Sequence, residues 1–356
     1  MSVLDALVDG RSVIICCGSG GVGKTTAAAA LAVAGALRGR RACVITIDPA
    51  RRLADALGVT GVGNEPHEIA GPWPGRLSVV MLDAKTTFDE LVGKYARDPQ
   101  QAERILANRL YRNLASVLSG TQEYMATEKL FELHEEAVFD LVVVDTPPTR
   151  HALEFLDAPR RLTSFLDNRI FKVLVTPGTS YLRAASLAGQ MVARSIARVA
   201  GAEIVDDTLA FFSAFQGMER GFRERAAHVE RLLTERATGF VLVVTPRRDA
   251  IDDARFFRDE LEKRRGVIDA LLVNRIHPAF DAAPAPRLAD KSAPSAAWHE
   301  LVENLADLDR IARREEGFLA DLVTAVAPAP VVRVPFLDSD VHDVEGLLGI
   351  VRHLIG

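Results

Sequence analysis

The sequence predicts an α/β protein: a mostly parallel central sheet flanked by helices, with an α-helical subdomain inserted between strands. Three observations predict it. Short β-branched runs alternate with longer segments of helical period. Those runs are apolar almost throughout and do not alternate with polar residues, as in strands buried on both faces of a parallel sheet. Two long intervals carry helical patterns and no strand. Alternating strands and helices make βαβ crossovers and a layered fold.

In chain order, the first run spans 13–17 and leads through a glycine-rich turn into a helix over 24–38. Further runs follow at 42–47, 77–82, 141–144, 240–244, 270–273 and 331–334. The intervals 84–136 and 155–238 are the helical excursions. An Ala- and Pro-rich stretch, 281–294, reads as a surface loop before a helix near Trp298. Val344, Leu347, Leu348, Val351 and Leu354 space a short closing helix. The predicted organisation is one domain over 1–356. Its core covers about 1–83, 137–157 and 238–356, and the helical subdomain about 84–136 and 158–237.

Composition narrows the function classes. The 356 residues carry 43 basic and 48 acidic side chains, a net charge of −5, and are 48% hydrophobic. That excludes a disordered chain, a collagen-like fibre and a basic nucleic-acid packer, so no nucleic-acid partner is expected. Cys16, Cys17 and Cys43 are the only cysteines, and no Cys-x-x-Cys pair exists to build a thiolate zinc site. The N-terminal residues lack a signal-like core, and the longest apolar stretch, 27–37, is too short to cross a bilayer. A cytoplasmic protein is expected, with any membrane role peripheral.

Gly18, Ser19, Gly20, Gly21, Val22, Gly23, Lys24 and Thr25 fit G-x-x-x-x-G-K-[ST] without a mismatch. The motif follows a predicted strand and opens a predicted helix, the context it requires. Glycines let backbone N–H groups wrap phosphate oxygens, and the helix N-terminus adds favourable partial charge. This loop predicts a P-loop nucleoside triphosphatase. Lys24 is expected at the β- and γ-phosphates and the Thr25 hydroxyl on Mg²⁺. Asp145 ends a strand beside the loop, where a carboxylate holds Mg²⁺ directly or through water. Asp48 ends the second strand and is a candidate to orient or deprotonate the attacking water.

Together, Gly18 to Thr26, Asp48-Pro-Ala50 and Asp145-Thr-Pro-Pro-Thr-Arg-His151 resemble the ArsA family of ATPases. That family includes the arsenite-pump ATPase and the Get-type ATPase that targets tail-anchored membrane proteins. It belongs to the dimeric deviant-Walker class that also includes MinD. Gly120-Thr-Gln-Glu-Tyr-Met125 and Phe155-Leu-Asp-Ala-Pro-Arg-Arg-Leu162 resemble its actinobacterial "anion-transporting ATPase" subgroup. The resemblance implies an ATP/ADP and Mg²⁺ site in a homodimer or a heterodimer with a paralogous ATPase. Residues 48–50 would form switch I and 145–151 switch II, with Asp48 activating water. Thr26 belongs to the matched loop. Asn274, followed by Arg275, matches the adenine-binding asparagine, and Pro335, Phe336 and Leu337 match the loop closing over the base.

The chain departs from the pattern at Ser19, where the family's signature lysine reaches across the dimer. Arg51 and Arg52, directly after residues 48–50, and Arg150, within 145–151, are candidates to supply the missing cation. Zinc-clasp and arsenite-binding cysteines have no counterpart, so neither zinc nor an arsenite site is expected. Apolar residues at helical spacing, among them Phe165, Leu166, Phe211, Phe215, Met218 and Phe222, would either pack the subdomain or line a groove for a client helix. Residues 150–200 carry a local +5, which fits a solvated face, an acidic partner or a membrane surface. The expected function is a dimeric switch ATPase coupled to a client or partner. The rivals are a cytoplasmic ATPase subunit of a membrane transporter and a MinD-like regulator.

Overall fold

The computed structural model describes residues 4–47, 52–109, 111, 121–135, 138–168, 207, 210–280 and 296–355. Among them, eight strands form one sheet: β1 (Val13–Cys17), β2 (Arg41–Thr46), β3 (His67–Ile69), β4 (Arg76–Met81), β5 (Leu141–Asp145), β6 (Thr238–Val244), β7 (Ala270–Ile276) and β8 (Val331–Pro335). Their order is β3-β4-β2-β5-β1-β6-β7-β8. Every neighbouring pair is parallel except β3 with β4. Seven strands fall on the predicted apolar runs. The eighth, β3, is a three-residue edge strand with exposed His67 and Glu68, so no apolar string announces it.

The chain divides into two compact units. The first comprises Met1–Met81, Glu136–Leu153 and Arg236–Gly356, and the second Leu82–Glu135 and Glu154–Glu235. The first holds the sheet with α1 (Asp5–Gly10), α2 (Lys24–Leu37), α3 (Arg52–Leu57), α9 (Arg248–Lys263), α10 (Ala296–Val326) and α11 (Val344–Leu354). All residues of β1, β5 and β6 are buried, because helices cover both faces of the central strands. Alanine-rich α2 is buried along most of its length, since small side chains let it lie close against β1, β2 and β5. A glycine-rich loop between β1 and α2, at the C-terminal ends of parallel strands, makes this the P-loop nucleoside triphosphatase fold.

The N-terminal end of the sheet is sealed by arginines. Arg40 donates to the carbonyl oxygens of Val8, Arg11 and Asp140. Arg41 pairs with Asp140 at 2.7 Å, and Arg11 with Asp269 at 2.5 Å.

The second unit is helical: α4 (Ala84–Tyr95), α5 (Pro99–Leu106), α6 (Thr121–Glu135), most of α7 (Thr149–Asp167) and α8 (Glu219–Thr234). Asp83 and Asp98 cap α4 and α5 through the backbone N–H groups of Thr86 and Gln101, and Pro99 opens α5. Tyr111, Leu166, Phe211, Phe215, Met218 and Phe222 are buried in its core. The rings of Phe215 and Phe222 stack at 5.3 Å. The five of these that sequence spacing predicts, all but Tyr111, therefore pack the unit, whereas Phe165 is 54% exposed. Further apolar residues at the same helical spacing, within 170–196 and at Leu209, lie outside the described residues. Buried Glu128 accepts from Arg225 Nε at 2.7 Å and from the Tyr124 hydroxyl, while burial pushes its carboxyl above the usual range. Among the described residues, no helix is long and apolar enough to cross a membrane.

Candidate functional site

The site begins where β1 stops. Gly18 has φ +153°, and a Cβ there would lie 2.2 Å from the carbonyl oxygen of Val243. Gly23, at φ +93°, caps α2, and a Cβ on it would lie 2.2 Å from Asn274 Nδ2. Only glycine satisfies both the left-handed conformation and the close approach. The loop therefore turns sharply and delivers Lys24 and Thr25 to the first turn of α2.

Lys24 is 8% exposed, and its Nζ donates to the Ser19 carbonyl oxygen at 2.8 Å. The Thr25 hydroxyl donates to Asp145 Oδ2 at 2.8 Å. Thr46, which ends β2 and stands in register with Asp145, donates to the same oxygen at 2.9 Å. Asp145 is buried at the end of β5. Farther along the backbone, Thr149 N–H donates to the Gly18 carbonyl oxygen at 3.1 Å, fastening the start of α7 to the loop. Burial pushes the thiol of Cys17 up to about 12 and that of Cys16 upward as well, so both stay protonated beneath the loop.

Asn274 lies two strands away, near the end of β7. Its Nδ2 donates to the Val22 carbonyl oxygen at 2.9 Å, and its Oδ1 accepts from Arg275 N–H at 3.0 Å. The β7–β8 register is interrupted between Asn274 and Ile276, and Arg275 takes φ +58°. Such a bulge bends the strand and aims the side chains at its end. Pro335, the last residue of β8, pairs with Ile276, and the next residue, Phe336, 61% exposed, donates its N–H to Ile276 O at 2.9 Å. Leu337 follows it.

The structure thus brings Lys24, Thr25 and Asp145 together and ties Asn274 to the loop. Asp48 and Arg51 lie outside the described residues, as does the side chain of Arg150. Arg52 is exposed in the first turn of α3. Two participants escape sequence reasoning: Thr46, and Thr149 through its backbone. A hydroxyl at the end of the strand beside Asp145's strand would have pointed to Thr46.

A family model described as "Anion-transporting ATPase" matches residues 11–354. The chain belongs to the anion-transporting ATPase family. The relatives that it resembles include "ATPase GET3" of Malassezia globosa, 32% identical over 165 residues, which are 46% of this chain and 47% of the relative. "ATPase ASNA1 homolog 1" of Paramecium tetraurelia is 32% identical over 157 residues, 43% of this chain and 45% of the relative. "Putative arsenical pump-driving ATPase 1" of Aquifex aeolicus is 22% identical over 353 residues, 97% of this chain and 78% of the relative. The chain spans about half the length of the first two.

The donors fit the groups that this ATPase family implies. Thr25 and Asp145 offer a hydroxyl and a carboxylate side by side, the hard oxygens that Mg²⁺ takes. Lys24 places an ammonium at the loop, the charge a triphosphate needs.

Proposed function

We propose that this chain hydrolyses ATP to ADP and phosphate and uses the event as a switch. The Thr25–Asp145 hydrogen bond beside a complete glycine loop carries this reading. The two groups that would hold Mg²⁺ rest on each other and can exchange that bond for the metal. Mg²⁺, when bound, neutralises charge on the β- and γ-phosphate oxygens. Lys24 leaves the Ser19 carbonyl for the same phosphates, and the loop N–H groups, including those of Val22 and Thr26, bind the oxygens around them. Asp48 orients the attacking water. Asn274 keeps one N–H and one acceptor lone pair after its two observed bonds, a pattern that matches N7 and N6 of adenine. Guanine presents two acceptors there and satisfies only the donor. Phe336, with Pro335 and Leu337 beside it and Arg275 across the strand pair, closes over the base.

The switch reading rests on Thr149. Its N–H on Gly18 O links the loop to α7, and the chain passes from the first unit to the second within that helix. Loop changes on hydrolysis would move along α7 to the helical unit, which binds a hydrophobic client helix or a membrane-protein partner. The acting form is a cytoplasmic homodimer, or a heterodimer whose paralogue supplies the cation that Ser19 lacks. In a homodimer Arg51, Arg52 or Arg150 takes that role.

The pump-driving name of the relative aligned with 97% of the chain favours a second reading, the ATPase subunit of a transporter. A MinD-like membrane anchor is disfavoured at α11, whose Leu347, Val351 and Leu354 are buried and which packs on α2 and β8. Phosphate release with ATP or GTP, with Mg²⁺ or EDTA, tests the activity. Mg²⁺-dependent turnover with preference for ATP is expected; turnover indifferent to EDTA would sink the reading. Co-purification with a single-span protein favours the carrier, and with a multi-span protein the transporter subunit.

A further inference from the structure

We propose that His277, held by Glu315, is a positioning residue that fixes the Phe336 ring as a stacking platform for the nucleotide base. The inference rests on the base-binding part of the proposed function and names what makes that part work. Phe336 is 61% exposed at the C-terminal end of β8, on the sheet edge that carries the phosphate loop. An aromatic ring so exposed is free to change rotamer, and each such freedom weakens the binding that must quench it. Here it is already quenched. The imidazole of His277 lies against Phe336 with centroids 5.8 Å apart and planes 16° from parallel, an offset stack.

His277 is itself held at two points by one side chain. Glu315, on α10, accepts from the His277 backbone N–H through Oε2 at 2.8 Å, and its Oε1 sits 2.8 Å from Nδ1. A carboxylate only accepts, so the proton of the second bond is on Nδ1, which fixes tautomer and ring plane together. The next residue, Glu316, takes both Nε and Nη2 of Arg333 on β8, at 2.6 and 2.9 Å. Consecutive carboxylates of α10 thus secure the exit of β7 and the strand that presents Phe336. The backbone bond from Phe336 N–H to Ile276 O closes the frame. A free-standing surface histidine would need none of this.

The test compares ATP with tripolyphosphate, which has the phosphates and no base, as ligands of the full chain. His277→Ala is expected to raise KM for ATP roughly three- to tenfold, to leave kcat within twofold, and to leave inhibition by tripolyphosphate unchanged. Glu315→Ala should do the same, and Glu315→Gln, which keeps an acceptor, should restore most of the affinity. Thermal melts of each variant identify any that fail to fold; should Glu315→Ala be one of them, His277→Ala against Phe336→Ala carries the comparison. If Phe336→Ala raises KM while His277→Ala and Glu315→Ala do not, the positioning proposal falls and the base reading stands. Equal weakening of ATP and tripolyphosphate by His277→Ala also overturns it. If Phe336→Ala leaves ATP binding unchanged, the base reading itself falls.

Discussion

The two ends of the sheet solve the same problem in opposite ways. At both, strands terminate and leave backbone and side-chain polar groups that need partners. At the N-terminal end, Arg40 spreads over three carbonyl oxygens, and Arg41 and Arg11 grip Asp140 and Asp269. Asp269 also accepts from Phe240 N–H at 2.9 Å. Charge-assisted bonds of this kind are complete as they stand. At the C-terminal end the bonds are single and exchangeable: an ammonium on a loop carbonyl, two hydroxyls on one carboxylate, an amide on Val22. One end is a clasp and the other a set of placeholders. The proposed binding site and the arginine clasps thus fall at different ends of one sheet.

Four substitutions test that division, in falling order of expected effect. Lys24→Ala should cut kcat/KM for ATP by about 10²–10³, the scale of losing a preorganised charge donor. Its melting temperature should change little, because a buried ammonium costs desolvation in the free protein. A large loss of stability there would break the contrast. Arg40→Ala should do the reverse: it strands three carbonyls and should cost about 2 kcal/mol of stability by urea denaturation, with turnover per folded molecule unchanged.

Thr46→Ala removes one of two hydroxyls from Asp145 and should cost about 1 kcal/mol in transition-state stabilisation, a roughly fivefold drop in kcat/KM. A higher Mg²⁺ requirement should accompany it. The smallest effect concerns Asp140. Hydrogen bonds from Arg41 hold its carboxyl at about 2, below the usual ~3.9. Its folded-state pKa is depressed, so its contribution is present above about 4 and is lost as pH falls toward 2. The pair is substantially exposed, so the loss should be a few tenths of a kcal/mol at most. Urea midpoints at pH 5 and pH 3 should converge slightly less for wild type than for Asp140→Asn.

What could be read in advance follows from how local the signal is. Four of the seven predicted strand runs are continuous apolar strings, the other three carry a single polar interruption (Thr46, Ser78 or Arg333), and the phosphate loop lies within one turn of chain. The edge strand β3 has neither property. Thr46 reaches Asp145 across 99 residues and Glu315 reaches His277 across 38, so only the register of β2 with β5 and the course of α10 bring them together. Phe211, Phe215 and Phe222 have helical spacing that a core face and a groove share. Burial, which spacing does not encode, assigns them to the core.

The contact between Gly23 and Asn274 reaches beyond chemistry. A Cβ at position 23 would meet the Asn274 amide at 2.2 Å, so the loop and the side chain two strands away occupy each other's space. Position 23 is held twice, by this contact and by its left-handed φ of +93°. A library that randomises the loop should return glycine at 23 even where residue 274 is shortened, because the left-handed backbone remains. Altered base preference is therefore to be sought at position 274 against an unchanged glycine.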